Sequence, residues 1–395
     1  MVPNGWESTR LNKIAETVTS GSRDWAQYYS ESGSKFIRMT NLPRGGIYLK
    51  LDDLKYVNVH SNSSDGKRTS LKEGDLLISI TAELGKIGWV PPELGEAYIN
   101  QHTALVRIKK ESADSKYIAY LLSSHAMNHK INRLNDSGAK AGLNLPTIRS
   151  IPMVLPPLPE QRKMAKILST WDKAIATTEK LIATSKQQKK ALMQQLLTSK
   201  KRLVNPETGK AFEGQWEEVR LGDVCSPQQW STISSKELLE DGFLVYGANG
   251  HIGYFSEYNH EFETVAVTCR GSTCGEVSLI PERSYITGNA MCLDNINEEA
   301  HSYKFLFYAL TYRGFKDVIS GSAQPQIVGK AIKTVKFVVP SILEQQKIAS
   351  VLTVADKETE VLEAKLAHFK QEKKALMQQL LTGKRRVKVD DMEVA

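Results

Sequence analysis

The sequence predicts an α+β protein: two α/β domains separated by two long helices that pair as an antiparallel coiled coil, giving an internal repeat with pseudo-two-fold symmetry. Three observations predict it. The ten residues KKALMQQLLT occur twice, from Lys189 to Thr198 and from Lys373 to Thr382. The match runs back to EQRKMAKILSTWDKAI from Glu160 and EQQKIASVLTVADKET from Glu344 at an unchanged offset of 184. The segments ahead of the helices also begin alike, WESTRLNKIAE from Trp6 and WEEVRLGDVCS from Trp216, but at an offset of 210. The stretch from Trp6 to Glu160 is 154 positions and that from Trp216 to Glu344 is 128, so the globular parts differ in length while the helices do not. Each repeat is a variable domain on an invariant rod.

The first domain, 1–152, carries short apolar runs bounded by turn residues, DLLISI (Asp75–Ile80) and ALVRIK (Ala104–Lys109), which read as strands. A helical pattern follows from Lys116, KYIAYLLSSHAMNHKI, in which His125 and His129 lie on one amphipathic face. The central helix, 153–203, steps by three and four through Leu168, Trp171, Ile175, Thr178, Ile182, Ser185, Lys189, Leu192 and Leu196. The second domain, 204–338, repeats the strand signals in TVAVTC (Thr264–Cys269) and VKFVVP (Val335–Pro340), and the late helix in HSYKFLFYALTYRGF. The C-terminal helix, 339–386, steps through Leu352, Ala355, Thr359, Leu362, Leu366, Phe369, Lys373, Leu376 and Leu380, before a tail at 387–395. A mostly apolar 3-4 spacing of this length is a coiled-coil seam. Ser341 and Glu344 suit a capping box, Pro159 an initial turn, and Gly383 a helix end. The seam lysines Lys189 and Lys373 are the anomaly, explained either by snorkelling out of the seam or by setting its register. About forty helical residues make a rod of roughly 60 Å.

Composition narrows the function. At 41% hydrophobic and 24% charged the chain is globular, and no apolar run is long enough to span a bilayer, so a cytoplasmic protein with no membrane partner is expected. Cys225, Cys269, Cys274 and Cys292 form no C-x2-C pair, so reduced structural thiols and no metal are expected. No GxxxxGK[ST] loop is present, and Gly247, Gly250 and Gly253 do not make a dinucleotide fingerprint, so no catalytic residues are assigned. A net charge of +8 suits a polyanion partner. The glycine-rich loops GSRDWAQYYSESGSK, TNLPRGG, YGANGHIGYF, RGSTCGEV and SGSAQPQ combine arginine, amides, hydroxyls and aromatics on flexible backbone, which is chemistry suited to phosphates and base edges.

The doubled order of globular domain, P-x-x-EQ helix start and KKALMQQLLT helix end resembles the specificity subunit of type I restriction-modification systems. LPPLPEQRKMAKILSTWDKAI is similar to that family's linker-helix opening. VYGANGHIGYF, RGSTCGEV, YITGNAMCLD and SGSAQPQI, with SITAELGKIGWV, INQHTALVRI and SGAKAGLNLPTI, are similar to its target-recognition domains. The resemblance implies that each domain reads one half of a bipartite, asymmetric site on double-stranded DNA. It also implies that the helix pair sets the spacing and docks two modification subunits, and that restriction subunits complete the complex. No cofactor is then expected on this chain: S-adenosylmethionine belongs to the modification subunits, ATP and Mg to the restriction subunits. Half-sites read from one face of a duplex prefer separations near about 34–36 Å, which suits such rods. A coiled-coil scaffold with protein-binding heads is the competing reading.

The expected DNA contacts in the first domain are Arg23, Trp25, Tyr28, Lys35, Arg38, Asn41, Lys86, Asn100, Gln101 and Lys140. In the second they are Gln228, Trp230, Asn249, His251, Arg270, Ser272, Asn289, Gln324 and Gln326. Amides pair with adenine edges, arginine with guanine, and aromatics stack or wedge. Trp25 and Trp230 can equally pack their loops, and Asn100 and Asn289 can cap turns.

Overall fold

The computed structural model describes residues 2–23, 25–59, 63–134 and 142–389. They fall into two compact units, Met1–Thr177 with Leu366–Ala395, and Thr178–Lys365. The two long helices, Leu158–Leu196 and Ile342–Leu380, are each 39 residues long. Each unit therefore holds one globular domain, the first part of the helix that follows it and the last part of the other helix.

In the first unit, strands Glu7–Arg10 and Pro152–Leu155 pair antiparallel, closing the domain just ahead of its helix. The main sheet is antiparallel, in the order Ala15–Ser20, Thr103–Ile108, Leu76–Ser79, Ile87–Trp89. Leu76–Ser79 is buried at every position, as a continuous apolar run at the centre of a covered sheet requires. Ser115–Ser123 packs on this sheet with Tyr117 to Leu122 all buried, and its N-cap Asp114 accepts from Tyr117 N at 2.8 Å. The single helix expected from Lys116 is in fact two. Ser124 ends the first and caps His125–Arg133, its hydroxyl accepting from Met127 N, because serine competes with the helix for backbone hydrogen bonds. A second sheet runs Tyr29–Ser30, Lys55–Val57, Ser34–Ile37, Ala97–Ile99, its last pair parallel.

The second unit repeats the plan. Glu217–Arg220 pairs with Lys336–Val339, and the main sheet runs Ser226–Gln229, Ala290–Asp294, Thr264–Thr268, Val277–Ile280. Tyr303–Arg313 packs on it, capped by Ser302. The second sheet is shorter, Gly250–Phe255, Phe243–Gly247, Tyr285–Ile286, again with one parallel pair.

The helices meet antiparallel inside each unit. In the first, the Trp171 and Phe369 rings contact edge to face at 5.6 Å, with Leu168, Leu376 and Leu380 in the surrounding core. In the second, Ser185 and Thr359 share a buried hydrogen bond at 3.0 Å, and Leu192, Leu196 and Leu352 join the domain core. Ile182 is also buried, while Ile175, Leu362 and Leu366 are half-buried. The seam lysines do not snorkel. Lys373 is ion-paired with Asp172, whose other oxygen accepts from Tyr120 at 2.6 Å. Lys189 is ion-paired with Asp356, whose other oxygen accepts from Tyr308 at 2.7 Å. A carboxylate on the facing helix is what keeps each ammonium in the seam.

The repeated EQ is explained by the same symmetry. Glu344 accepts from Nε and Nη2 of Arg202, each at 2.7 Å, and Glu160 is held by Arg386 in the same bidentate way. Glu344, expected from its spacing to serve a capping box, thus holds a guanidinium from the segment that follows the other long helix. Both arginines also donate to the backbone leading into the adjoining domain, Arg202 to Gly214 O and Arg386 to Asn4 O. Gln161 donates to Pro156 O while its Oε1 accepts from Asp114 N. Gln345 repeats this with Pro340 O and Ser302 N. Each glutamine so locks the start of a long helix to the cap of the domain helix beside it.

Candidate nucleic-acid interface

In the second domain, strand Thr264–Thr268 leads into the loop RGSTCG, and hydrogen bonds tie that loop to three others. Cys269 N donates to Asn289 O at 3.0 Å, Ile327 N to Cys269 O at 2.9 Å and Gly271 N to Pro325 O at 3.1 Å. The Thr273 hydroxyl donates to Ala248 O at 2.7 Å. Loops far apart in sequence therefore share one end of the sheet. Asn249, His251, Arg270, Ser272, Gln324 and Gln326 are not buried there, and Asn289 is half-buried. This places a guanidinium, four amides, a hydroxyl and an imidazole on one set of loops, able to donate to phosphates and to pair with base edges. Gln228 and the Trp230 ring instead line a cavity with His260 and Asp294, and Trp230 Nε1 donates to Asp294 at 3.1 Å.

The first domain builds the same end of its sheet from different residues. Leu143 N donates to Ile80 O at 2.9 Å, the counterpart of the Ile327–Cys269 bond. Asn100 Oδ1 accepts from His102 N, and the Gln101 amide lies 3.2 Å from His102 Nε2, so both half-buried amides shape the turn before strand Thr103–Ile108. The backbones cross closely here: a Cβ on Gly21 would lie 2.1 Å from Asn100 C, just as one on Gly288 would lie 2.7 Å from Trp230 O. Only glycine permits either crossing.

The cations of this domain are mostly paired. Lys86 and Arg44 both bind Glu83, and those bonds, Lys86's first, hold the Glu83 carboxyl below the usual range. Arg38 binds Asp53 at 3.0 Å, and Lys35 donates to Leu94 O. Arg23 is exposed and Tyr28 half-buried. Trp25 is 4% exposed and packed on Phe36 and Tyr28, so the packing alternative describes its place. Asn41 is also buried, donating to Lys50 O and Asp53 O. Lys140 lies outside the described residues.

Two arginines that sequence reasoning does not single out belong to these loops. Arg44 has an 81% exposed side chain beside Glu83, and Arg68 donates to the hydroxyl of Ser22, a residue whose backbone forms a parallel bridge with Asn100. Arg44 lies in TNLPRGG, so its loop is visible in the sequence. Arg68 sits in the short helix Ser64–Thr69 and carries no local signal.

Comparison with known proteins agrees with this architecture. A family model described as the type I restriction modification DNA specificity domain matches residues 3–187 and 213–371, one match for each repeat. The chain is similar to the type I restriction enzyme MjaVIII specificity subunit of Methanocaldococcus jannaschii, 25% identical over 98% of this chain and 94% of that one. It is also similar to the EcoprrI specificity subunit of Escherichia coli, 25% identical over 72% of this chain and 71% of the other. Its fold is similar to the crystal structure of the type I restriction-modification S subunit from M. genitalium, with a TM-score of 0.69, 16% identity, and coverage of 96% of this chain and 99% of that one.

Proposed function

The chain belongs to the type I restriction-modification DNA-specificity family and is a specificity subunit; from that premise we propose that its two domains each read one half of a bipartite, asymmetric DNA site. The helix pair sets the gap between the halves. It also offers two modification subunits equivalent docking surfaces, and restriction subunits complete the assembly. S-adenosylmethionine is then bound by the modification subunits, and ATP with Mg by the restriction subunits. Among the described residues no helix is long and apolar enough to cross a membrane.

One observation carries this reading. The junctions beneath the domains are chemically the same twice over, Glu160–Arg386 with Asp172–Lys373 and Glu344–Arg202 with Asp356–Lys189. The loop clusters above them differ, Arg270 with accessible amides in one and cations paired to Glu83 and Asp53 in the other. Identical supports under divergent readers suit one kind of partner bound twice and two different half-sites. The contacts proposed for the second domain are Asn249, His251, Arg270, Ser272, Gln324 and Gln326. For the first they are Arg23, Arg44, Arg68 and the Asn100–Gln101 turn.

The test is a genome-wide map of methylated adenine in cells that supply the modification subunit, with and without this chain. A two-part motif with a fixed gap should appear only when the chain is present. Arg270→Ala should relax one half of that motif and leave the other intact. A motif that relaxes in both halves, or in neither, would refute the assignment of one half-site to each domain.

A further inference from the structure

Asp294 ends a main-sheet strand of the second domain, and its counterpart in the first domain has the opposite charge. The glycine turns Gly85 N to Ser79 O and Gly275 N to Thr268 O mark Ser79 and Thr268 as equivalent. Thr103 faces the former and Ala290 the latter, so four residues further on Arg107 and Asp294 correspond. Arg107 clasps Asp75 through two hydrogen bonds of 2.7 and 2.8 Å. Asp294 has instead the ring of His260 at 3.1 Å, with both side chains largely buried.

The hydrogen bonds around this pair are over-determined. Asn259 Oδ1 accepts from Ile286 N at 2.8 Å while its Nδ2 donates to Ile286 O at 2.9 Å, which fixes the amide. His260 Nδ1 lies 2.7 Å from that same Oδ1 and must carry the proton. Nε2 then turns its lone pair to Asp294 Oδ1, while Oδ2 accepts from Trp230 Nε1. Two acceptors facing each other need a cation between them, or a second proton on the ring. Cys292 tips the balance. Its Sγ, a ring nitrogen of His260 and an Asp294 oxygen all lie within 4.8 Å of one another. Cys292 and Asp294 are two apart on one strand and so share a face.

We propose that His260, Cys292 and Asp294 form a site for a borderline divalent cation such as zinc, which staples the segment after strand Gly250–Phe255 to the main sheet. Nitrogen, sulfur and oxygen donors of this kind suit zinc. Asn259 behind His260, and Trp230 behind Asp294, are the outer hydrogen bonds that orient such ligands. Binding releases the Cys292 thiol proton to solvent. His260 and Asp294 also line a cavity of about 540 Å³ with Glu261, Glu263 and Gln228, the last directly opposite Cys292 in the ladder. No C-x2-C signal marks the site, because its ligands come from two segments more than thirty residues apart.

Cobalt titration of the chelator-treated full chain tests the site. One equivalent should bind with a thiolate-to-cobalt charge-transfer band that zinc abolishes. Cys292→Ser should remove the band, Cys274→Ser should keep it, and His260→Gln should weaken binding at least tenfold. Zinc should also raise the melting temperature of the chelator-treated, unmodified chain, a readout that does not depend on how the variants fold. Absence of a saturable band, or its survival in a folded Cys292→Ser variant, overturns the proposal and leaves an imidazolium–carboxylate pair.

Discussion

The two seam lysines sit in matching sequence and in unequal surroundings, which makes their removal a quantitative test of what holds the helices together. Lys373 and Asp172 have side chains only 11% and 14% exposed, whereas Lys189 and Asp356 are 24% and 31% exposed. Removing one partner of a buried pair costs about 3–5 kcal/mol, because the remaining charge is left uncompensated, while an exposed pair contributes about 0–1 kcal/mol. In the Lys373→Ala variant, Asp172 keeps the Tyr120 hydroxyl, which places the loss at the lower end, about 3 kcal/mol. Lys189→Ala should cost about 1–2 kcal/mol, between the two limits. Replacing both members, Lys373→Met with Asp172→Leu, should recover most of the loss, since no charge is then stranded. Urea unfolding followed by tryptophan fluorescence measures each value. A loss from Lys373→Ala that is no larger than that from Lys189→Ala, or a double variant as unstable as the single, would refute the argument from burial.

Three further outcomes follow from particular residues. Ser199 has a φ of 55° where its repeat equivalent, Gly383, has 71°, so Ser199→Gly should raise stability by about 0.5–1 kcal/mol by removing the left-handed penalty, read as a shift in urea midpoint. Glu83→Gln should release Arg44 and Lys86 for phosphate. Binding to non-specific duplex in the assembled complex should then tighten, and its salt slope steepen by about 0.9 for each further phosphate neutralised; an unchanged slope would show that these cations do not face DNA. Burial pushes His301 below the usual imidazole range. The unfolded chain therefore binds that proton more readily, so the stability is present above pH of about 6.5 and is lost as pH falls through the depressed value. Melting of the full chain between pH 8 and 5 should show this loss, and His301→Gln should reduce it.

The sequence by itself determined the repeat and the two long helices, because coiled-coil periodicity is local and is written residue by residue along Leu168 to Leu196 and Leu352 to Leu380, whereas the antiparallel pairing it led one to expect rests on contacts such as Lys189–Asp356 and Lys373–Asp172. It also marked Lys189 and Lys373 as exceptional, but not their partners, since Asp172 and Asp356 come from the facing helix. Strands such as Leu76–Ser79 were legible from apolar runs, and the break at Ser124 was not, because a single serine decides it through one hydrogen bond. Which loops meet was a tertiary decision. Hydrogen bonds from Thr273 to Ala248 and from Gly271 to Pro325 join segments that carry no mutual signal in the chain. Burial then sorted the candidate contacts, taking Trp25 and Asn41 into the interior and leaving Arg270 and Gln324 at the surface. Sequence encodes periodicity and residue chemistry directly. Exposure and long-range pairing exist only once distant segments share a volume.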